Sequence, residues 1–150
     1  MVLKIPPPLQ GLIAGFLIWL CAVALPGATV QFPGQQSIAI IIAMFGLGID
    51  FTALIAFIKA KTTINPLAPE TTNQLVISGL YRYSRNPMYV GMLLLLLSWT
   101  LWLGTPLGLL PVIGFILSIN KLQIIPEEQA LETKFGDAYR TYKQQVRRWI

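Results

Sequence analysis

The sequence predicts an all-α, polytopic membrane protein of about four transmembrane helices with a cytoplasmic C-terminal amphipathic helix. Three observations lead there. Of 150 residues, 55% are hydrophobic and only 11% charged, whereas a soluble domain carries roughly 25% charged residues. The charges are segregated: residues 5–49 and 88–120 contain none. Mean hydropathy is +0.65, and the apolar runs approach the roughly 20 residues needed to cross about 30 Å of hydrocarbon. A soluble fold could not cover its surface with the polar residues that remain, and the length is that of a single domain.

The first span covers residues 9–30, behind Pro6, Pro7 and Pro8, which suit the first turn of a helix and fit badly inside one. Ala22-Val23-Ala24 resembles a signal-peptide cleavage site, but the apolar stretch is too long for a signal peptide and further spans follow. The second span is 37–58, after the uncharged turn 31–36. The third, 88–103, is short, so it must borrow flanking residues, thin the bilayer or stop before crossing. Gly104-Thr105-Pro106 turns into the fourth, 107–125, softened by Pro111 and Gly114. Pro126 then reads as the first position of a new helix, with Glu127 and Glu128 in the turn where the dipole favours them and Leu131 and Phe135 on one face. Gly136 ends or bends this helix and Asp137 caps a continuation. There Ala138, Tyr139, Tyr142, Val146 and Trp149 recur at helical spacing, away from Arg140, Lys143 and Arg147, as in an amphipathic helix on the inner leaflet.

Lysine and arginine bias sets the orientation. The two short turns carry no charge, whereas 59–87 carries Lys59, Lys61, Arg82 and Arg85 against Glu70. The tail carries Lys134, Arg140, Lys143, Arg147 and Arg148, with Lys121 just before it. Both polar segments, and the N-terminus with Lys4, are therefore expected in the cytoplasm, with the spans in a bacterial inner membrane. Because these basic residues flank apolar spans, the net charge of +5 suits contact with anionic lipid rather than nucleic acid. The sequence has no histidine and one cysteine, Cys21. A histidine-based triad, a histidine-ligated or cysteine-cluster metal site and a disulfide within the chain are all excluded; no metal is expected.

Four features could carry chemistry. Asp50 is the only acidic residue inside a span, where an ionisable group is costly and points to function unless it satisfies itself in a polar crevice. Gly46-Leu47-Gly48-Ile49-Asp50 superficially resembles a nucleotide fingerprint, but it follows no strand and reads as small-residue helix packing. In Tyr81-Arg82-Tyr83-Ser84-Arg85-Asn86-Pro87-Met88-Tyr89-Val90-Gly91, Arg82 and Arg85 would share a face of a helical turn and grip one carboxylate or phosphate. Pro87 starts a helix whose free N–H groups accept anions, and Tyr81 and Tyr89 offer faces to a purine or a cation. A lipid-headgroup anchor of basic and aromatic residues is the competing reading. Last, Glu127-Glu128 at the membrane exit oppose an anionic surface and suit a ligand with hydroxyls or an ammonium group. A tight turn makes spans three and four antiparallel neighbours, so arginines, aromatics and glutamates converge on one pocket at the inner face.

Leu75-Val76-x-Ser78-Gly79-x-Tyr81-Arg82-Tyr83-x-Arg85-Asn86-Pro87-x-Tyr89-x-Gly91, followed by Ile125-Pro126-Glu127-Glu128-x-x-Leu131-Glu132-x-x-Phe135-Gly136-x-x-Tyr139-x-x-Tyr142, resembles the isoprenylcysteine carboxyl methyltransferase family. The wider group includes the phospholipid N-methyltransferases. The resemblance covers about residues 60–150, the cofactor-binding core of what would be a single domain; the variable spans of 1–58 match in hydropathy alone. It implies an integral-membrane methyltransferase that binds S-adenosylmethionine between the ends of the last two spans and the tail.

By position, Arg85, Asn86, Pro87, Tyr89 and Gly91 match the family's Arg-His-Pro-x-Tyr-x-Gly element, and Glu127, Glu128 and Leu131 its Glu-Glu-x-x-Leu element. The resemblance implies that Arg85, with Arg82, binds a cofactor or substrate carboxylate. Glu127 and Glu128 would take the ribose hydroxyls or amino group, and Tyr89, beside Tyr81, the adenine or sulfonium. Arg85 and Glu128 are the expected catalytic pair. Asn86 stands where the family has histidine; an amide hydrogen-bonds but takes no proton near neutral pH, which puts a histidine-dependent proton step in doubt. The expected substrate is lipophilic and enters from the bilayer. A prenylated cysteine, a phospholipid headgroup, a quinone-like lipid and a small thiol all stay open as acceptors. An NADPH-dependent membrane reductase and a non-enzymatic lipid-binding protein are the rival classes.

Overall fold

The computed structural model describes residues 5–60 and 74–150. Lys4, Lys61, Glu70 and the turn-forming run 62–69 lie outside them. The described residues are helical, with one isolated parallel bridge, Ser84 to Arg147.

Helix α1 is Pro7–Ala24, shorter than the expected 9–30. Pro26 has no N–H to donate and bars its predecessor from helical geometry; Leu25 accordingly turns to φ −130° and a short 3-10 turn, Pro26–Ala28, follows. Helix α2 is Gln35–Lys59 and α3 is Pro87–Leu103. The fourth span is α4, Leu109–Ile119, which passes through a π turn, Asn120–Ile124, into α5, Ile125–Phe135, without a break. With the 3-10 turn before it, this apolar run spans 30 residues, about 45 Å at 1.5 Å per residue, and so outreaches the bilayer at its charged end.

Two expectations are corrected here. The helix is regular through Pro111 and Gly114, because Pro111 lies in the first turn of α4, where no N–H is required. Pro126 does not open a helix either: it continues one. A proline ring clashes with the carbonyl four residues back, and the wider π turn immediately before Pro126 is where the ladder makes room. Glu127 and Glu128 therefore have no helix N-terminus beside them, and other partners must hold their charge.

Helix α3 is central. It packs along α2 and against α1 and α4, while α1 also packs on α4. Ala14 and Ile18 of α1, Leu96 of α3, and Val112, Phe115 and Ile119 of α4 form the core. Among the described residues three helices are long and apolar enough to cross a membrane; α3 is shorter, and its neighbours pack around it. Phe16, Ile41, Phe45, Leu110 and Leu117 face outward, as lipid contact requires. At the uncharged end Gln35 donates to Leu101 O at 2.6 Å and accepts from Phe32 N at 3.1 Å, tying the two short loops together. Gly104 (φ 63°) belongs to the same closure, since a Cβ there would strike Val30 O.

At the charged end Gly136, with φ 52° and ψ −124°, swings the chain into α6, Asp137–Gln145. The apolar face of α6 is covered by protein: Tyr139, Tyr142 and Val146 pack with Leu75, Leu131 and Phe135. The expected contact of that face with the inner leaflet is thus not formed. The helix also stops earlier than its periodicity suggests. Val146 is extended (φ −121°, ψ 133°), so Val146 and Trp149 belong to a short strand-like segment, 146–150, that runs beside residues 84–86.

Candidate functional site

The site is built where α3, α5 and the segment 146–150 meet. Pro87 takes the first position of α3, as its fixed φ favours, and the preceding residues are held by main-chain pairing, with Arg85 N donating to Arg147 O at 3.0 Å. This aims Arg85 inward. Its Nη2 donates to Glu128 Oε1 at 2.7 Å, and its Nη1 donates to the carbonyls of Lys143 and Val146 at 2.8 Å each. Arg85 Nε is buried without a hydrogen-bond partner among the described residues. Glu128 is 6% exposed, and its Oε2 accepts from Arg148 Nη2 at 2.7 Å. The Glu128 carboxylate in turn holds the Arg148 guanidinium above its ordinary pKa. One buried carboxylate thus lies between two guanidinium groups.

Around it, Tyr89 donates its hydroxyl to Glu127 Oε1 at 2.8 Å. Asn86 Nδ2 donates to Arg148 O at 2.9 Å, and Trp149 Nε1 donates to Asn120 Oδ1 in the π turn at 3.2 Å. Tyr142 donates to Tyr81 O at 2.7 Å; burial pushes its phenol up to about 12, so it remains a donor at any physiological pH. Tyr81 stands edge-on to Phe57 of α2, ring centroids 5.4 Å apart. Burial raises its phenol strongly, and Tyr142, Glu127 and Asp50 raise it further.

The structure therefore brings together Arg85, Asn86, Pro87, Tyr89, Glu127 and Glu128, with Tyr81 adjoining. Leu131 lies one turn beyond Glu127 and Glu128, in the cluster that seats α6. Arg82 is not among them. It ends the 3-10 turn Gly79–Arg82 and is exposed, whereas Arg85, beyond that turn, points inward to Glu128, so the two do not share a face. Arg148 takes the place expected of Arg82. Sequence reasoning missed Arg148 and Trp149 because the helical spacing of 138–149 carried the helix past its actual end at Gln145; it also gave Asn120 and Tyr142 no part in the site.

Gly91 is buried against α2. A Cβ there would run into the Asp50 carboxylate, and a Cβ on Gly46 would sit 3.0 Å from Gly91 O. Gly46, one turn before Asp50, thus packs as a small residue should, while Gly48 meets nothing within 4 Å.

These groups fit S-adenosylmethionine. The molecule presents a ribose diol, an amino-acid ammonium and carboxylate, a sulfonium and an adenine. Paired carboxylates receive hydroxyl and ammonium groups, guanidinium groups receive the carboxylate, and tyrosine rings suit the sulfonium and the purine. The orphaned Arg85 Nε adds a buried donor without an acceptor. The sequence model of the phospholipid methyltransferase family matches residues 35–138, well over half of the chain. The chain belongs to the phospholipid methyltransferase family. The match begins where α2 begins and ends just inside α6, so family membership extends over the second span as well as the two motif blocks. A Haemophilus influenzae (strain ATCC 51907 / DSM 11121 / KW20 / Rd) protein described as "Uncharacterized protein" is 64% identical over 63 residues, 42% of this chain and 100% of that protein. No solved structure matches the chain.

Proposed function

We propose that this member of the family is an integral-membrane, S-adenosylmethionine-dependent methyltransferase acting on a lipophilic acceptor, with its donor site at the cytoplasmic face of a bacterial inner membrane. The observation that carries the reading is the joining of the two motif blocks, 85–91 and 127–131, through Arg85–Glu128 at 2.7 Å and Tyr89–Glu127 at 2.8 Å. A lipid anchor has no use for two glutamates clamped in that way, whereas a polar, charged ligand does.

In this reading Glu127 and Glu128 hold the ribose hydroxyls or the amino group, and Arg85 with Arg148 faces the carboxylate. Tyr89 and Tyr81 line the adenine or sulfonium, while Asn86 and Pro87 fix the loop and helix start that present them. Leu131 seats α6 behind the glutamates. A sulfonium supplies a methyl group already activated for transfer, so the protein's work is to align the acceptor and exclude water. The acceptor approaches sideways between helices: α2 leans mainly on α3 and the 3-10 turn, and its outer faces carry Ile41, Phe45 and Phe51.

Isothermal titration of the detergent-solubilised protein with S-adenosylmethionine tests the assignment, with NADPH as the competing ligand. Binding of S-adenosylmethionine that weakens at least tenfold in Glu127→Ala is expected. Unchanged affinity removes the glutamate assignment, and binding of NADPH alone overturns the methyltransferase reading.

A further inference from the structure

We propose that Asp50 is the acceptor-side catalytic residue, taking the proton that an ammonium-bearing lipid headgroup must lose before its nitrogen can be methylated. This rests on the methyltransferase reading, with an amine-bearing lipid as acceptor, and adds to it the group that prepares that acceptor.

Asp50 lies nine residues before Lys59, the last residue of α2, about 14 Å along the helix axis. A carboxylate at such depth is costly unless it is paired. Asp50 Oδ1 is buried and has no hydrogen-bond partner among the described residues, so the group is not explained as part of the packing. Its position is nevertheless strictly defined. Gly46 brings the α2 and α3 backbones together one turn away, and the absent side chain of Gly91 leaves the space that the carboxylate occupies. Ala53 and Phe57, on the same face of α2, pack with Tyr81, and Gly91, against which Asp50 lies, is two residues from Tyr89. Through Gly91 and Tyr81 the Asp50 carboxylate, with its unpartnered Oδ1, thus borders the donor site from α2, while Tyr89 and Glu127 border it from α3 and α5.

A carboxylate or thiolate acceptor arrives as an anion and has no use for a second anion beside it; an ammonium group is attracted to one and has a proton to lose. Asp50 accepts one proton from R–NH3+, leaving R–NH2 and a neutral carboxyl group. The nitrogen lone pair then bonds the methyl carbon, the carbon–sulfur electron pair leaves with sulfur as a thioether, and the product departs as R–NH2+–CH3. Asp50 afterwards returns its proton to water. Charge and atoms balance with the sulfonium donor as the only co-reactant.

The test uses the full chain in nanodiscs containing phosphatidylethanolamine and radiolabelled S-adenosylmethionine. Asp50→Asn is expected to bind the donor within about twofold of wild type and to lose at least about 100-fold in transfer, the lower end of a general-base contribution. Below the acceptor's pKa near 10, the free amine fraction rises tenfold per pH unit. The Asn variant should therefore recover about tenfold per unit from pH 7 to 9 relative to wild type, a response that a packing role would not give. Over that range Tyr81, the titratable neighbour from the 3-10 turn, stays protonated; Glu127 of α5 is the other ionisable group at the site. If Asp50→Asn does not accumulate, Asp50→Ser removes the same carboxylate without adding volume. Transfer within about threefold of wild type in either variant overturns the role of Asp50. Wild type that methylates only thiol or carboxylate acceptors overturns it too, but leaves the methyltransferase reading standing, whereas wild type that binds no donor sinks that reading itself.

Discussion

Replacing Glu128 by glutamine keeps the side chain's size and removes the one charge that two guanidinium groups share. The Arg85 and Glu128 side chains are 9% and 8% exposed, so water cannot replace what is lost, and breaking a buried pair from one side costs about 3–5 kcal/mol. Arg85 keeps its bonds to the carbonyls of Lys143 and Val146, which places the expectation at the low end. Arg148 is 37% exposed, and its share is that of a surface pair, about 0.2–1 kcal/mol. The expected loss is about 3–4 kcal/mol, or roughly 6–16 °C in melting temperature at 2–4 °C per kcal/mol for a chain of this size. Thermal unfolding in detergent of Glu128→Gln, Arg85→Met, Arg148→Met and the paired doubles would measure it. The Glu128–Arg85 cycle should give a coupling of about 2 kcal/mol and the Glu128–Arg148 cycle less than about 1 kcal/mol. A shift below 2 °C for Glu128→Gln, or a larger coupling to Arg148 than to Arg85, would refute the assignment of Arg85 as the main counter-charge.

Gly136→Ala should lower the melting temperature by several degrees, because φ 52° with ψ −124° strains any side-chain-bearing residue by about 1–3 kcal/mol. Gly114→Ala, in open space inside α4, should instead leave it unchanged or raise it, and the two measured together separate backbone strain from packing. For orientation, single cysteines at exposed Gln36 and Arg82 in a Cys21→Ser background should react with an impermeant maleimide from opposite sides. Labelling of position 36 on intact cells and of position 82 only after lysis is expected, and the reverse pattern would invert the proposed topology.

Much of this molecule was legible in its sequence because bilayer physics is coarse. Segregated charge and apolar runs of the right length leave few alternatives to a helical bundle, and the arginine and glutamate blocks had to meet once a three-residue turn joined α3 to α4. What escaped were consequences of single residues acting on the backbone. Pro26 ends α1 early. Pro126 does not start a helix but displaces its strain into a π turn, a solution that depends on α4 and α5 being packed as one rod and that no local pattern announces. Val146 and Trp149 keep the helical spacing of Tyr139 and Tyr142, yet pairing with residues 84–86 outcompetes another turn of helix and carries Arg148 to the site. Asp50 was visible as an anomaly from its burial cost alone, but that it faces Gly91 depends on the register of α2 against α3.

The π turn and the terminal segment have one physical explanation. With α4 running on into α5, Glu128 has no helix N-terminus to stabilise it, and two guanidinium groups must do so instead. Arg85 comes from the segment that opens α3; Arg148 comes from residues beyond 138, where the family match ends. The segment that carries Arg148 is fastened at Ser84 by the bridge, at Asn86 through the Arg148 carbonyl, and at Asn120 through Trp149. Asn120 is the first residue of the π turn, so the same short segment that neutralises Glu128 also grips the distortion that brought Glu128 into position. The last residues are thus part of the site's electrostatics, and the paired carboxylates keep their separate partners, Tyr89 for Glu127 and the guanidinium groups for Glu128, because the tail holds α3 and α5 in register at the level where a donor would bind.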